Sequence, residues 1–284
     1  MAVIIDGKKA AEDIRNEIRE KAARIRETRG ITPGLAVILV GDDPASQIYV
    51  RNKEKACAAA GFLSRQYRLP GDTQQDVVID LVQELNRDAD IHGILVQLPL
   101  PGRMDPEAVV EAVDPKKDVD GFHPYNRGRL FTGTPYHSAC TPLGIIELLD
   151  RYDIGIEGKE AVIVGRSNIV GKPLALMLLR RHATITVCHT RTRDLGSVTA
   201  RADILVAAAG SAEMITPEMV KDGAVVIDVG MNRTPEGRLT GDVAKTVAGK
   251  ASYITPVPGG VGPMTIAMLL SNTLQAAESS PDVR

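Results

Sequence analysis

The run Ala161-Val-Ile-Val-Gly165-Arg-Ser-Asn-Ile-Val-Gly171-Lys-Pro173 leads into the apolar stretch 174–179, and a second apolar stretch, 184–188, follows it. This reads as strand, glycine turn, helix and strand at the spacing of a βαβ unit, which requires a parallel α/β sheet. Gly165 and Gly171 do not match G-x-G-x-x-G, so the context carries the reading. A turn between a strand end and a helix start lets backbone N–H groups receive a pyrophosphate. Strands expected at 204–209 and 224–229 complete a Rossmann-type half. Gly210 and Gly230 lie just past their ends, where glycine permits close backbone approach to a cofactor.

The end of the second strand speaks to the cofactor. NAD sites place Asp or Glu there for the ribose 2′-hydroxyl, whereas NADP sites place groups that accept a phosphate. Here the chain reads His189-Thr190-Arg191-Thr-Arg193, with Arg166 in the glycine turn. No acid stands in that stretch, so NADP is the expected cofactor.

Upstream, helix and strand also alternate. Ile14, Ile18, Ala22 and Ile25 recur at helical spacing through 9–29, and Gly30 with Pro33 stops that helix before an apolar strand at 35–40. Gly41-Asp-Asp-Pro44 is a turn and cap opening a helix that Gly61 ends. A strand at 62–69, a helix carrying Val77, Val78, Leu81, Val82 and Leu85, a strand at 93–98 and a short helix near 105–113 follow. Residues 114–140 show no clear periodicity, although Val119, Phe122 and Tyr125 look buried. At Cys140-Thr141-Pro142 a helix is expected with Thr141 as N-cap and Pro142 in its first position. The expected architecture is therefore α/β. A parallel-sheet domain spans 1–140, a Rossmann-type domain spans 141–263, and a C-terminal helix, 264–284, packs back on the first domain.

Four side chains of the first domain can do chemistry. Tyr49 and Lys53 stand at i and i+4, which puts them on one face of a helix, where a phenol can orient an amine. A lysine titrates near ~10.4 and serves as acid or base near neutrality only if burial or a neighbouring positive charge lowers its pKa. Gln97 interrupts the apolar strand at its carboxyl end, where open α/β sheets bind ligands; an amide bonding a neighbouring loop is the other reading. Asp120 beside Gly121 is either a ligand contact or a turn former. Finally, Pro256-Val-Pro258-Gly259-Gly260-Val-Gly-Pro263 holds three prolines and three glycines. Such a stiff loop suits a pocket wall built from backbone groups.

Totals exclude several classes. With a net charge of −2, the 284 residues carry no electrostatic footprint for nucleic acid or an anionic membrane. Aromatic residues make up 3%, too few for base-stacking platforms. No apolar run reaches the ~18 residues of a membrane span, and Asp6, Lys8, Lys9, Glu12 and Asp13 interrupt any secretory signal. Cys57, Cys140 and Cys188 are widely spaced and odd in number, which fits a reducing cytoplasm and indicates no zinc site. The five histidines have no ligand spacing, so no metal is expected.

Five stretches, in this order, resemble the bifunctional methylenetetrahydrofolate dehydrogenase/methenyltetrahydrofolate cyclohydrolase family: Pro44-Ala-Ser-Gln-Ile-Tyr-Val-Arg-Asn-Lys53, Gly93-Ile-Leu-Val-Gln-Leu-Pro-Leu-Pro101, Lys117-Asp-Val-Asp-Gly121, Val164-Gly-Arg-Ser-Asn-Ile-Val-Gly-Lys-Pro173 and Pro256-Val-Pro-Gly-Gly-Val-Gly-Pro263. The resemblance implies Lys53 as the catalytic lysine, Tyr49 orienting it and packing over the folate, Gln97 tuning it, and Asp120 holding the pterin. It implies an NADP site with Gly165, Arg166, Ser167, Gly171, Thr190, Arg191 and Met231, and a folate wall at Pro258, Gly259 and Gly260. A cleft joining the domains, a cytoplasmic homodimer and a role in purine biosynthesis are further implications. Short-chain dehydrogenases share the tyrosine-lysine spacing but place their glycine turn before the pair. An amino-acid or shikimate-type dehydrogenase and a silent NADP-binding sensor remain open alternatives.

Overall fold

The computed structural model describes residues 2–235 and 237–280, apart from the side chain of Ala45. The chain runs β1 (Val3–Ile4), α1 (Gly7–Arg29), β2 (Gly34–Val40), α2 (Pro44–Ala60), β3 (Leu63–Leu69), α3 (Gln75–Arg87), β4 (Gly93–Val96), α4 (Pro106–Glu111) and α5 (Pro124–Thr132). It continues through α6 (Cys140–Arg151), β5 (Glu160–Val164), α7 (Gly171–Arg180), β6 (Thr184–Cys188), α8 (Leu195–Thr199) and β7 (Ile204–Ala207). The remainder comprises β8 (Val225–Asp228), β9 (Asn232–Arg233), β10 (Leu239–Thr240), β11 (Tyr253–Ile254) and α9 (Val261–Glu278). Two compact units result: Asp13–Cys140 with the chain from Ile266 onward, and the chain up to Glu12 with Thr141–Thr265.

In the first unit, parallel strands stand in the order β3-β2-β4. Every residue of β2 is buried, as a central strand covered on both faces must be. The apolar stripe Val78, Val82 and Leu85 of α3 packs on Ile38, Val40, Ile94 and Val96, and full burial of each such side chain stabilises the fold by roughly 1.5–3 kcal/mol. The helix α2 has defined ends. Asp43 accepts a bond from the Ser46 amide at 2.7 Å, and Gly61, at φ 73°, closes the last turn in a left-handed conformation that glycine adopts without strain.

The stretch 114–140, expected to lack regular structure, contains α5. Its ends follow ordinary punctuation: His123 Nδ1 accepts from the Tyr125 amide, Pro124 opens the helix and Gly133 closes it at φ 95°. Its periodicity is hidden, because only Asn126 and Leu130 are buried. Asn126 replaces an apolar stripe with hydrogen bonds, donating to Pro115 O at 2.7 Å and Asp118 Oδ2 at 2.8 Å. Val119 is buried as expected. Tyr125 is 47% exposed and instead stacks on Tyr136, with the Arg129 guanidinium over both rings.

The helix α9 starts at Val261 rather than 264, and residues 281–284 of the expected helix lie outside the described residues. Its later turns belong to the first unit. Asn272 Nδ2 donates to Val119 O at 2.8 Å and Ser138 O at 3.0 Å, and Arg29 donates to Glu278 O at 2.7 Å and to Ser280 O.

The second unit holds, among the described residues, a six-stranded sheet ordered β1-β11-β8-β7-β5-β6, its pairings parallel. The chain enters at β5, builds β6 on one side and then reverses to β7 and β8 on the other. Connections diverge between β5 and β7, the switch point at which such sheets bind ligands. Residues up to Glu12, expected with the first domain, sit in this unit because β1 pairs with β11, Val3 opposite Tyr253 and Ile4 opposite Ile254. The expected N-cap Thr141 is likewise displaced. The helix α6 already begins at Cys140, and the Thr141 hydroxyl pairs with that of Thr265 at 2.9 Å.

Candidate active site

Lys53 is buried, 8% exposed, on α2, while Tyr49 one turn earlier is 40% exposed. Lys53 Nζ donates to Gln97 Oε1 at 3.0 Å. Gln97 stands one residue past β4 and donates through Nε2 to Leu98 O at 2.7 Å. The amide thus bonds a neighbouring loop carbonyl, as the second reading has it, and at the same time holds the lysine, each bond fixing the other. Turning the amide over would set its NH₂ against the ammonium and its oxygen against a carbonyl.

Asp120 is half-buried. Desolvation holds its carboxyl above the usual carboxylate range, against the opposing pull of the Lys53 charge and a hydrogen bond from Cys140. Burial, reinforced by Asp120, keeps the Cys140 thiol well above its ordinary value. Cys57, one turn beyond Lys53, is pushed up to about 12, chiefly by burial. Lys53 therefore has two neutral thiols and one carboxyl among its neighbours.

The loop that presents Asp120 is held from three sides. Gly121 has φ 70°, and a Cβ there would lie 2.4 Å from Ala139 N. Asp118, 4% exposed, accepts from the amides of Phe122 at 3.0 Å and His123 at 2.9 Å, besides Asn126. Burial pushes its carboxyl up to about 6. Asn272 grips the carbonyl of Val119, the residue before Asp120, and lies 3.7 Å from Cys140 Sγ. Sequence reading passes over Asp118, Asn126, Cys140 and Asn272. An asparagine in the apolar run of α9 is the one visible signal.

In the second unit the glycine turn is tightly built. Gly165 has φ 135°, and a Cβ there would lie 2.1 Å from Ala208 O; one on Gly171 would lie 2.1 Å from Gly165 O. The Ser167 hydroxyl accepts from the amides of Val170 at 3.1 Å and Gly171 at 3.4 Å, satisfying N–H groups where α7 starts. Arg166, Ser167, Thr190 and Arg191 are all exposed. Past β6, His189 Nδ1 accepts from the Arg191 amide at 3.1 Å and Thr192 Oγ1 from the His189 amide at 2.9 Å, which shapes the turn carrying Thr190 and Arg191.

Met231, past β8, is 51% exposed. The stiff loop is shorter than expected because α9 takes its last residues. The Val257-Pro258 peptide is cis, the Gly260 amide donates to Pro256 O at 2.8 Å, and Gly259 O accepts from the Lys8 amide at 3.0 Å. Pro258 is exposed, whereas Gly259 and Gly260 are buried. Gly7 packs so closely on Gly260 that a Cβ would lie 1.8 Å from its carbonyl oxygen.

Among the described residues, no three or more His, Cys, Asp or Glu side chains are placed to hold a metal ion, and no helix is long and apolar enough to cross a membrane. The three cysteines are free and buried.

A parallel sheet with a switch point and a glycine turn defines a dinucleotide-binding domain, here in a chain whose other α/β unit carries a buried lysine-amide pair. The family models agree with that division. The catalytic domain of tetrahydrofolate dehydrogenase/cyclohydrolase matches residues 5–120, and the NAD(P)-binding domain of the same enzymes matches 139–281. The chain belongs to the tetrahydrofolate dehydrogenase/cyclohydrolase family. It is 58% identical over 280 residues to the bifunctional protein FolD of Nitrosospira multiformis, covering 98% of this chain and 97% of that one. The crystal structure of the bifunctional FolD methylenetetrahydrofolate dehydrogenase/cyclohydrolase from Campylobacter jejuni matches with a TM-score of 0.96 at 49% identity, over 98% of this chain and 99% of that one. The Trypanosoma brucei enzyme, solved with NADP cofactor and an inhibitor, matches with a TM-score of 0.92 at 41% identity, over 98% and 97%. The amino-acid or shikimate-type and sensor alternatives are not favoured by matches of this identity and coverage.

Proposed function

We propose that this protein oxidises 5,10-methylenetetrahydrofolate to 5,10-methenyltetrahydrofolate with NADP and hydrolyses the product to 10-formyltetrahydrofolate. The observation that carries the proposal is the buried Lys53 ammonium held on Gln97 Oε1, next to Asp120, in a chain of this family.

The residues fit NADP. Gly165, Ser167 and Gly171 form a tight turn at the start of α7, no acid ends β6, and Arg166, Thr190 and Arg191 reach solvent beside it. We assign these residues, with Met231, to the cofactor, and Arg166 to the 2′-phosphate. When bound, NADP accepts the hydride from the methylene carbon. The chain's part in that step is positioning, because the carbon left behind is a nitrogen-stabilised cation that needs no base. We assign Asp120, Tyr49 and the backbone of Pro258, Gly259 and Gly260 to the folate.

Hydrolysis requires more of the side chains. Water adds to the methenyl carbon and one carbon–nitrogen bond opens, so a proton must leave the water and another must reach the departing nitrogen. We assign both transfers to Lys53, whose Nζ Gln97 holds in place. A homodimer, a cytoplasmic setting and supply of the formyl donor to purine biosynthesis follow from the family resemblance, and light scattering after gel filtration checks the first. The deciding experiment is a paired assay. Methylenetetrahydrofolate is offered with NADP and then with NAD, and methenyl hydrolysis is measured separately. Absence of oxidation with both nucleotides would sink the proposal.

A further inference from the structure

The second unit buries two carboxylates that the proposed chemistry does not use. Asp242 is 0% exposed and Asp228 is 4% exposed. Asp242 Oδ2 accepts from the amides of Ala209 at 2.7 Å and Gly210 at 2.9 Å, and its Oδ1 accepts from the Ser211 amide and Asn232 Nδ2, both at 2.9 Å. Asp228 Oδ1 accepts from the amides of Gly230 and Asp242 at 2.9 Å, and its Oδ2 from Val243 at 3.0 Å. Two loops are thereby tied together: 208–211, which follows β7, and 229–232, which follows β8.

Glycines make room for both carboxylates. A Cβ on Gly230 would lie 2.3 Å from Asp242 Oδ1, and one on Gly241 would lie 1.7 Å from Asp228 Oδ2. Gly230, expected to admit a cofactor, thus admits Asp242 first. Gly210 is needed for its backbone, at φ 67°. Burying like charges together costs free energy, and loops with no task beyond connection could be closed by neutral turn residues. The loops also stand at a particular place, past the carboxyl ends of the strands on one side of the switch point, with Ala208 O packed against Gly165 of the turn on the other. The three amides of 209–211 are spent on Asp242. A loop so arranged has no N–H groups there to offer a phosphate, and it suits the nicotinamide half of a dinucleotide whose pyrophosphate lies on the Gly165 turn.

We propose that Asp242, supported by Asp228, is a positioning residue that sets the loops after β7 and β8 into the shape that receives the nicotinamide half of the cofactor. This rests on the reading that the protein binds NADP.

Asp242→Asn keeps the size of the side chain but replaces one acceptor oxygen with a donor facing backbone N–H groups. Because the loops then no longer hold the shape that receives the cofactor, the Kd for NADP by calorimetry should rise about 10–100-fold, with the KM for NADP following it. Methenyl hydrolysis, which uses no nucleotide, should stay within about twofold, a split that general loosening of the fold would not produce. A Kd unchanged within twofold overturns the assignment. Should Asp242→Asn lose both activities together, Asn232→Ala decides, since it removes one donor and leaves the carboxylate in place: a several-fold rise in Kd with hydrolysis intact supports the proposal, and an unchanged Kd overturns it. Failure of the unaltered protein to bind NADP sinks the cofactor reading itself, whereas equal binding by the unaltered protein and both variants sinks only the role of Asp242.

Discussion

The lysine region and the glycine-turn region solve opposite problems. Around Lys53 the chain completes its own contacts: Nζ has Gln97, Gln97 has Leu98 O, and the loop with Asp120, between α4 and α5, is gripped by Asp118, Gly121 and Asn272. Around Gly165 the backbone is close-packed, but Arg166, Ser167, Thr190 and Arg191 stand open to solvent. Groups that move protons must be desolvated and aimed in advance, since their reactivity depends on surroundings that water would level. Groups that hold a large, charged ligand can remain hydrated until it arrives. Substitutions near Lys53 should therefore act on turnover, and those near Gly165 on affinity.

Lys53→Met tests the first half of that contrast and has the largest expected effect. It should lower methenyl hydrolysis by about 10²–10⁴-fold, the usual contribution of a positioned acid or base, and dehydrogenation far less. Intact cyclohydrolase activity would break the assignment.

The next test concerns a device the two regions share. Asp118 beneath the loop of Asp120 and Asp228 beneath the loop after β8 are each pushed up to about 6 by burial, from an ordinary value of 3.8. A native pKa above the unfolded one means that the folded protein holds its proton longer as pH rises. Each group's contribution is thus fully present below about pH 4 and is lost as pH rises through about 6, up to about 3 kcal/mol per group. Urea unfolding at several pH values should show the decline, and Asp228→Asn should flatten its share. An unaltered slope in the variant would remove Asp228 from the account.

Arg166→Ala should raise the KM for NADP about 10–100-fold while leaving that for NAD within about twofold, because a charge-assisted partner of the 2′-phosphate is lost. Equal effects on both nucleotides would refute that role. Asn272→Ala is expected to cost about 1–3 kcal/mol in urea unfolding, since it takes the amide donor from Ser138 O and leaves Val119 O with only the weak donor of the Cys140 thiol. If it also lowers hydrolysis more than the KM for NADP, it sharpens the contrast by tying Asn272 to Asp120 rather than to the fold at large.

Most of the framework is legible in the order of the amino acids. Apolar runs such as 35–40 and 161–164, the stripe Val78, Val82 and Leu85, and the caps Asp43 and Gly61 are recognisable locally, because periodicity and turn chemistry act over a few residues. The same is true of Gly165 and Gly171. The helix α5 escapes such a reading because its buried face includes an asparagine held by hydrogen bonds to residues outside the helix. Strand β1 escapes it because two residues become a strand only when β11 offers them an edge.

The split within the sites has the same origin. Residue type and spacing mark out Tyr49, Lys53, Gln97, Asp120 and the nucleotide turn. Folding decides that the glutamine oxygen, and not its nitrogen, meets the ammonium; that Asn272, more than a hundred residues away, steadies the loop of Asp120; and that Gly230 makes room for Asp242. Contacts of that range depend on the path of the whole chain, and no local pattern encodes them.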